Sequence, residues 1–329
     1  MGDRILVTGG AGYVGSFSVD LLAKRGFEVV VYDNLSEGHR EAVPDGVPLE
    51  VGDLADGARL TAVLEKFEPE FVMHFAASAL VGESIENPLK YFENNIANGV
   101  NLVRAMLAAG VKSIVFSSSA ATYGEPSEVP IPEDHPRAPL NPYGYTKLAF
   151  EQFLEYCGAA YGLSSVALRY FNASGAAGDL GEDHTPETHL IPNVLMAALG
   201  KIPRFSVMGK DYKTHDGTCV RDFIHVSDLA DAHVRALDLL REGRSDRINL
   251  GNGKGFSVLD VIKVAEKVTG RDIPYEVAPR RPGDPAVLVA SSKRAAEVLG
   301  WTPEYASLED IVRSAWEWHS EHPQGYGSG

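Results

Sequence analysis

A glycine-rich turn near the start of the chain limits its fold more than any other stretch. "LVTGGAGYVGS", Leu6 to Ser16, follows the apolar run "RILVTG" and opens a helical pattern that stops near Arg25 and Gly26. Gly10-x-Gly12-x-x-Gly15 has the spacing of a dinucleotide-binding turn, and Gly9, Gly12 and Gly15 also stand three apart. Glycines there permit a tight turn, admit backbone N–H groups to a pyrophosphate and let the helix lie close to its strand, N-terminus toward the phosphates. A glycine turn alone is weak evidence, because many loops need the residue. The next apolar run, "EVVVYD", ends in Asp33, eighteen residues beyond Gly15. An acid at that place suits the hydroxyls of an adenosine ribose and repels a 2′-phosphate, so NAD is expected over NADP.

The alternation continues. "LEVGD", a helix over about Asp56 to Phe67, "FVMHFA", a single helix from Asn87-Pro88 to Ala109, "SIVFSS", a helix after Asn141 and "SSVALRYF" follow in order. Apolar runs without polar alternation fit strands covered on both faces. The expected fold class is α/β: a doubly wound parallel-sheet Rossmann fold with a smaller C-terminal α/β substrate lobe. Beyond Tyr170 the rhythm breaks, then returns for "DFIHV", a helix from Ser227 and "RINLG". Residues 1–175 plus 219–250 are expected to form the NAD-binding domain, and 176–218 plus 251–329 a nucleotide-sugar lobe. Ser257 with Asp260 and Ser307 with Asp310 read as capping boxes within that lobe.

Bulk properties narrow the partners. With 329 residues the chain can bury a large core, and a net charge of −15 disfavours nonspecific attraction to nucleic acid or to an anionic membrane. No run approaches a membrane span, the N-terminus enters a strand pattern at once, and two isolated cysteines suit a reducing compartment, so the expected location is cytoplasmic. His184 and His189, five apart in a Gly/Pro-rich segment, show no metal-ligand pattern, and no metal is expected.

Ligands in open α/β sheets bind at the carboxyl ends of the strands. Candidate cofactor contacts there are Tyr13 and Val14 in the turn, Asn34 after Asp33, Asp53 and Leu54 after the third strand, Phe75, Ala76 and Ala77 after the fourth, Asn95 in the following helix, and Ser117 and Tyr170. In "NPYGYTKL" Asn141 is a good N-cap and Pro142 suits the first helical position. Tyr143 therefore stands one turn before Lys147, while Tyr145 points elsewhere. A Tyr with an ordinary pKa of about 10 acts as a base near neutrality only if its phenolate is stabilised, which a nearby ammonium does.

These segments, with "DNLSEGH", "VGESIENPLKYFENN", "FSSSAATYGE", "LRYFNASGA", "RDFIHVSDLADAH" and "RRPGDP", resemble those of extended short-chain dehydrogenases/reductases, and closely those of the UDP-glucose 4-epimerase family. The resemblance spans nearly the whole chain. It implies a catalytic set of Ser119, Tyr143 and Lys147, with Tyr143 and Lys147 also touching NAD. It implies a UDP-hexose substrate contacted by Ser119, Tyr143, Asn172, Asn193, Leu195, Arg221 and Arg281, with Tyr212 and Asp284 near the uridine. The implied chemistry removes the 4-hydroxyl proton through Tyr143 as NAD takes the C4 hydride, turns the 4-keto sugar about its diphosphate, and returns the hydride to the other face. A homodimer is implied, through helices near Pro88–Ala108 and Pro142–Tyr161. Ala79 stands where many members carry a Lys, which removes one cofactor contact. Val287 aligns with a bulky pocket residue of some relatives, which suggests room for UDP-N-acetylglucosamine. Ala120-Ala121-Thr122 lacks the Asp-Glu pair of related dehydratases, whereas epimerases of pentose or uronic-acid nucleotides share all these motifs. A noncatalytic NAD-binding scaffold is the rival from another class; such proteins often lose the Tyr or Lys kept here.

Overall fold

Successive residues of the central strands point to opposite faces, and in this chain both faces are apolar. The computed structural model describes residues 2–281 and 283–327. Its main sheet contains β1 (Arg4–Thr8), β2 (Glu28–Asp33), β3 (Leu49–Val51), β4 (Phe71–His74), β5 (Ser113–Ser119), β6 (Ser164–Tyr170) and the strand Asp246–Leu250. All seven run parallel, in the order Asp246–Leu250, β6, β5, β4, β1, β2, β3. Ile5, Val7, Val29 and Val31 face one core with Leu22 and Leu237 of the helices Tyr13–Lys24 and Val226–Arg241. Leu6, Val30 and Tyr32 face the other, with Leu60, Met106 and Phe150 of the helices Gly57–Phe67, Asn98–Ala108 and Pro142–Tyr161. The expected doubly wound sheet is present.

The returning segment splits. Only Asp246–Leu250 joins the main sheet; Phe223–His225 pairs with Asn172–Ser174 beside it, and Val220–Arg221 lies between Phe256–Ser257 and Val287–Leu288. A separate core gathers Ile191, Leu195, Val207, Phe223, Val261, Ile262, Ile311 and Val312. Ala295, Leu299 and Trp301 instead pack into the sheet's first core, so the late helix Lys293–Leu299 clasps the nucleotide-binding side.

Two local expectations change. The helix predicted from Asn87 to Ala109 comes as Pro88–Phe92, a π turn over Glu93–Ala97, and Asn98–Ala108. The wider turn accompanies burial of Asn95, whose Oδ1 accepts from Ser78 N at 2.9 Å while Nδ2 donates to Ser78 O at 3.0 Å and Thr146 Oγ1 at 3.1 Å. The capping box at Ser257 forms, but Ser307 makes no side-chain cap, and the Leu308–Glu321 helix carries Glu309 and Asp310 in its first turn instead.

Candidate active site

The glycine turn has the shape of a phosphate cradle. A Cβ on Gly15 would lie 2.1 Å from Gly9 O, and one on Gly9, whose φ is +72°, would lie 2.4 Å from Ala76 N. Gly12 has space: its nearest neighbour would be Gly9 O at 3.4 Å. At the end of β2 the Asp33 carboxylate accepts from Ala11 N at 3.0 Å and Leu35 N at 2.9 Å. Burial raises its pKa, and those two N–H groups oppose the rise. This geometry fits a dinucleotide whose phosphates lie over the helix start and whose ribose reaches Asp33.

The turn opens into a cleft of about 700 Å³, lined among others by Gly9, Gly12, Tyr13, Val14, Gly15, Phe75, Ala77, Ser117, Ser119, Tyr143, Lys147 and Tyr170. Asn172, Asn193, Arg221, Arg281 and Asp284 line the same cleft. Sequence reasoning thus brings the three chemical residues and most cofactor and substrate candidates together. Asn141 caps the helix through Gly144 N at 2.8 Å, which aims Tyr143 and Lys147 inward. Tyr145 turns away, half exposed and stacked on Phe92.

Lys147 is buried, donates to Ser117 O at 2.8 Å, and has its Nζ 4.9 Å from the Phe116 ring centre and 5.8 Å from that of Tyr143. Burial lowers its pKa to about 7, and the negative charge of Glu151, one helical turn on, acts in the opposite sense. Burial raises the Tyr143 phenol, and the Ser119 side chain opposes that rise. Nearby His74 is pushed down to about 3 by burial and by Lys147, and its Nδ1 meets Thr8 Oγ1 at 2.8 Å. It is a neutral hydrogen-bonding group buried in the sheet against Phe116 and Phe150.

Some expected contacts sit elsewhere. Leu195 is wholly buried in the separate core; the cleft is lined by His189 to Asn193 at the start of the helix, and Leu195 lies a turn further in, beneath Ile191 and Pro192. Tyr212 is also in that core, with Arg280 stacked 4.1 Å over its ring. Leu54 is buried in the sheet's second core, which Ala76 joins at its edge. Asp53, at the surface, binds Asn34 Nδ2 at 2.8 Å, so this pair braces the loop after β2. Asn95 is consumed by its clasp on Ser78. Leu288 lines the cleft while Val287, one residue earlier in an extended strand, projects to the other side, which removes the basis for a Val-widened sugar pocket. Ala79 does line the cleft and brings no cation to it.

Arg221 is buried and forms an ion pair with Asp284, while its NH1 donates to Val220 O at 2.8 Å. Asp284 therefore holds the guanidinium in place. Sequence reasoning missed two groups. Arg169 donates to both oxygens of Glu151, at 2.9 and 2.5 Å, and to Tyr123 Oη at 2.8 Å, beneath the active helix. Glu182, His184, Glu187 and His189 converge at the cleft wall. Burial disfavours the imidazolium forms, but Glu182 and Glu187 outweigh it and push His184 up to about 9 and His189 to about 10. The signal was in "EDHTPETH", but an irregular loop gives no periodicity from which to infer convergence.

The cleft defines a class: α/β proteins that hold a dinucleotide at the strand ends and move protons with a buried tyrosine beside a lysine. Within it, residues 5–251 match the NAD dependent epimerase/dehydratase family, and the chain belongs to that family. It is 54% identical over 327 residues to the UDP-glucose 4-epimerase of Halalkalibacterium halodurans, covering 98% of each chain. The UDP-glucose 4-epimerase of Brucella ovis, solved in complex with NAD, is similar at 49% identity with a TM-score of 0.93, covering 96% of this chain and 98% of the other. That of Bifidobacterium longum, solved with NAD+ and UDP, is 39% identical with a TM-score of 0.94, covering 98% and 99%.

Proposed function

We propose that this chain is an NAD-dependent isomerase that interconverts UDP-glucose and UDP-galactose at C4. The observation that carries the reading is the meeting in one cleft of Ser119, Tyr143 and Lys147 with two cations, Arg281 and the Arg221 that Asp284 holds. Bound NAD supplies a reversible hydride acceptor and a positive ring. Tyr143 takes and returns the proton of the sugar hydroxyl, with Ser119 orienting that oxygen. Burial opposes a phenolate, so the ammonium of Lys147 is required to stabilise it. Guanidinium forks suit a diphosphate, and an acidic protein needs such local cations to admit one. A nucleotide gripped by these arginines leaves the hexose free to present either face.

Ala120 and Ala121 line the cleft after Ser119, so no carboxylate stands there to eliminate water, which favours epimerisation over dehydration. We further propose the two lobes 1–175 plus 219–250 and 176–218 plus 251–329 as the dinucleotide and sugar-nucleotide sides, with the segment from Lys293 to Trp301 crossing back onto the dinucleotide side. Exposed Ile85, Leu89, Phe92, Tyr145 and Tyr156 on neighbouring helices support a homodimer through that face. Among the described residues no helix is long and apolar enough to cross a membrane.

The deciding assay incubates purified protein with UDP-glucose, UDP-galactose, their N-acetylated forms, and pentose and uronic-acid analogues. Product from the first pair without added NAD and without net NADH is expected. Turnover of only another nucleotide sugar would redirect the substrate, and none at all would favour a noncatalytic scaffold.

A further inference from the structure

We infer that Glu182, His184, Glu187 and His189 form a site for a divalent first-row metal ion of the zinc type at the rim of the cleft. Each offers one ligand atom, and the four atoms lie within 4.8 Å of one another. His189 Nδ1 is 2.8 Å from Glu182 Oε1 and 2.9 Å from Glu187 Oε1. His184 Nδ1 is 3.4 Å from Glu182 Oε1 and 3.6 Å from Glu187 Oε2. A tetrahedral zinc shell with N and O ligands at about 2.1 Å has edges of about 3.4 Å, so these separations bracket that shell without a large movement.

One observation beside this geometry points to an open ligand position. His184 Nδ1 is buried without a well-oriented hydrogen-bond partner, 3.4 Å from Glu182 Oε1 and 3.6 Å from Glu187 Oε2. Among the described residues only imidazoles lie within salt-bridge distance of the buried Glu182 and Glu187 carboxylates, so no Lys or Arg competes for the carboxylate oxygens. A divalent cation that displaces the two imidazole protons leaves the cluster as neutral as the two ion pairs do. Nitrogen with carboxylate oxygen suits zinc, cobalt or nickel better than calcium or magnesium, which take oxygen alone. His189 is the most exposed of the four and provides the path of entry. Tyr13 of the glycine-turn helix, its ring centre 6.2 Å from that of His184, and buried His319 of the last long helix are the titratable neighbours on other elements; Tyr13 Oη is engaged with Gly175 O at 2.6 Å.

The site is tested on the purified NAD-containing protein, stripped with a chelator and dialysed against Zn2+ or Co2+. One ion per chain, visible absorption of tetrahedral Co2+ and a rise of Tm with Zn2+ are expected. His184→Gln and His189→Gln should each weaken binding by at least the roughly 10–100-fold that outer-shell changes cost elsewhere, and should abolish the Tm rise. Circular dichroism and NAD content show that the variants fold. The assignment is overturned if no stoichiometric ion binds. It is equally overturned if both variants bind as the parent does, which would move the ion to another group such as His215, Asp216 and Asp260.

Discussion

Replacing Lys147 with methionine separates the cost of burying an ammonium from its benefit to the reaction. The gap between an ordinary 10.5 and about 7 is on the order of 5 kcal/mol against the charged form, at about 1.4 kcal/mol per pH unit. The sign follows from proton counts. Between pH 7 and 10.5 the unfolded chain holds the proton and the folded chain releases it, so stability rises with pH across that window and the full cost falls below pH 7. Methionine removes this cost but leaves Ser117 O without its partner, a loss of about 1–3 kcal/mol. NAD-free Lys147→Met protein should therefore be more stable than the parent at pH 6, by roughly 2–4 kcal/mol in urea unfolding. By pH 8.5 that advantage should shrink by about 2 kcal/mol. Turnover should fall by about 100-fold or more, because the Tyr143 phenolate has lost its cation. A variant less stable than the parent at pH 6, or a stability difference that ignores pH, would refute the reasoning.

Tyr143→Phe should lower kcat by roughly 100- to 10,000-fold with Tm and NAD content unchanged, while Tyr145→Phe should leave kcat within about twofold, as steady-state kinetics will show. Gly15→Ala puts a methyl 2.1 Å from Gly9 O, so it should cost about 1–3 kcal/mol or more and abolish NAD binding by calorimetry. Gly12→Ala, with its nearest neighbour at 3.4 Å, should keep its Tm and lose NAD affinity alone. Asn95→Ala leaves the buried Ser78 amide and Ser78 carbonyl unpaired, while Thr146 Oγ1 loses a donor but keeps its bond to Tyr143 O, and thermal unfolding should register a loss of about 2 kcal/mol or more.

What could be read from the sequence was what local chemistry decides. The glycine turn, Asp33, the apolar strands and the Tyr143–Lys147 pairing depend on spacing within one or two elements, and all appear as expected. Leu195 lies one turn beyond the cleft-lining start of its helix, and nothing in "IPNVL" states how far along the helix the cleft reaches. Asn95 looked like a cofactor contact until a π turn aimed it at Ser78, seventeen residues earlier. Val287 and Leu288 differ only in strand phase, which the pairing with Val220–Arg221 sets from some sixty-seven positions away. The four-residue His/Glu cluster needed the path of an irregular loop.

The end of β5 shows how one local rule organises the whole site. Ser117, Ser118 and Ser119 are chemically identical neighbours, and the twofold alternation of a strand gives them different tasks. Ser117 and Ser119 face the cleft: the first holds Lys147 through its carbonyl and Tyr170 through its hydroxyl, and the second acts on Tyr143. Ser118 points the other way and donates to Glu151 Oε1 at 2.5 Å, where Arg169 takes both oxygens of the same carboxylate. Burial of Lys147 outweighs the attraction of that carboxylate, which leaves the lysine near 7 rather than at 10.5. The buried ion pair thus ties the helix that carries Tyr143 to β5 and β6. Shifting β5 by one residue would turn Ser119 into the core and Ser118 into the cleft, and would dismantle the proton-transfer set while every side chain remained present.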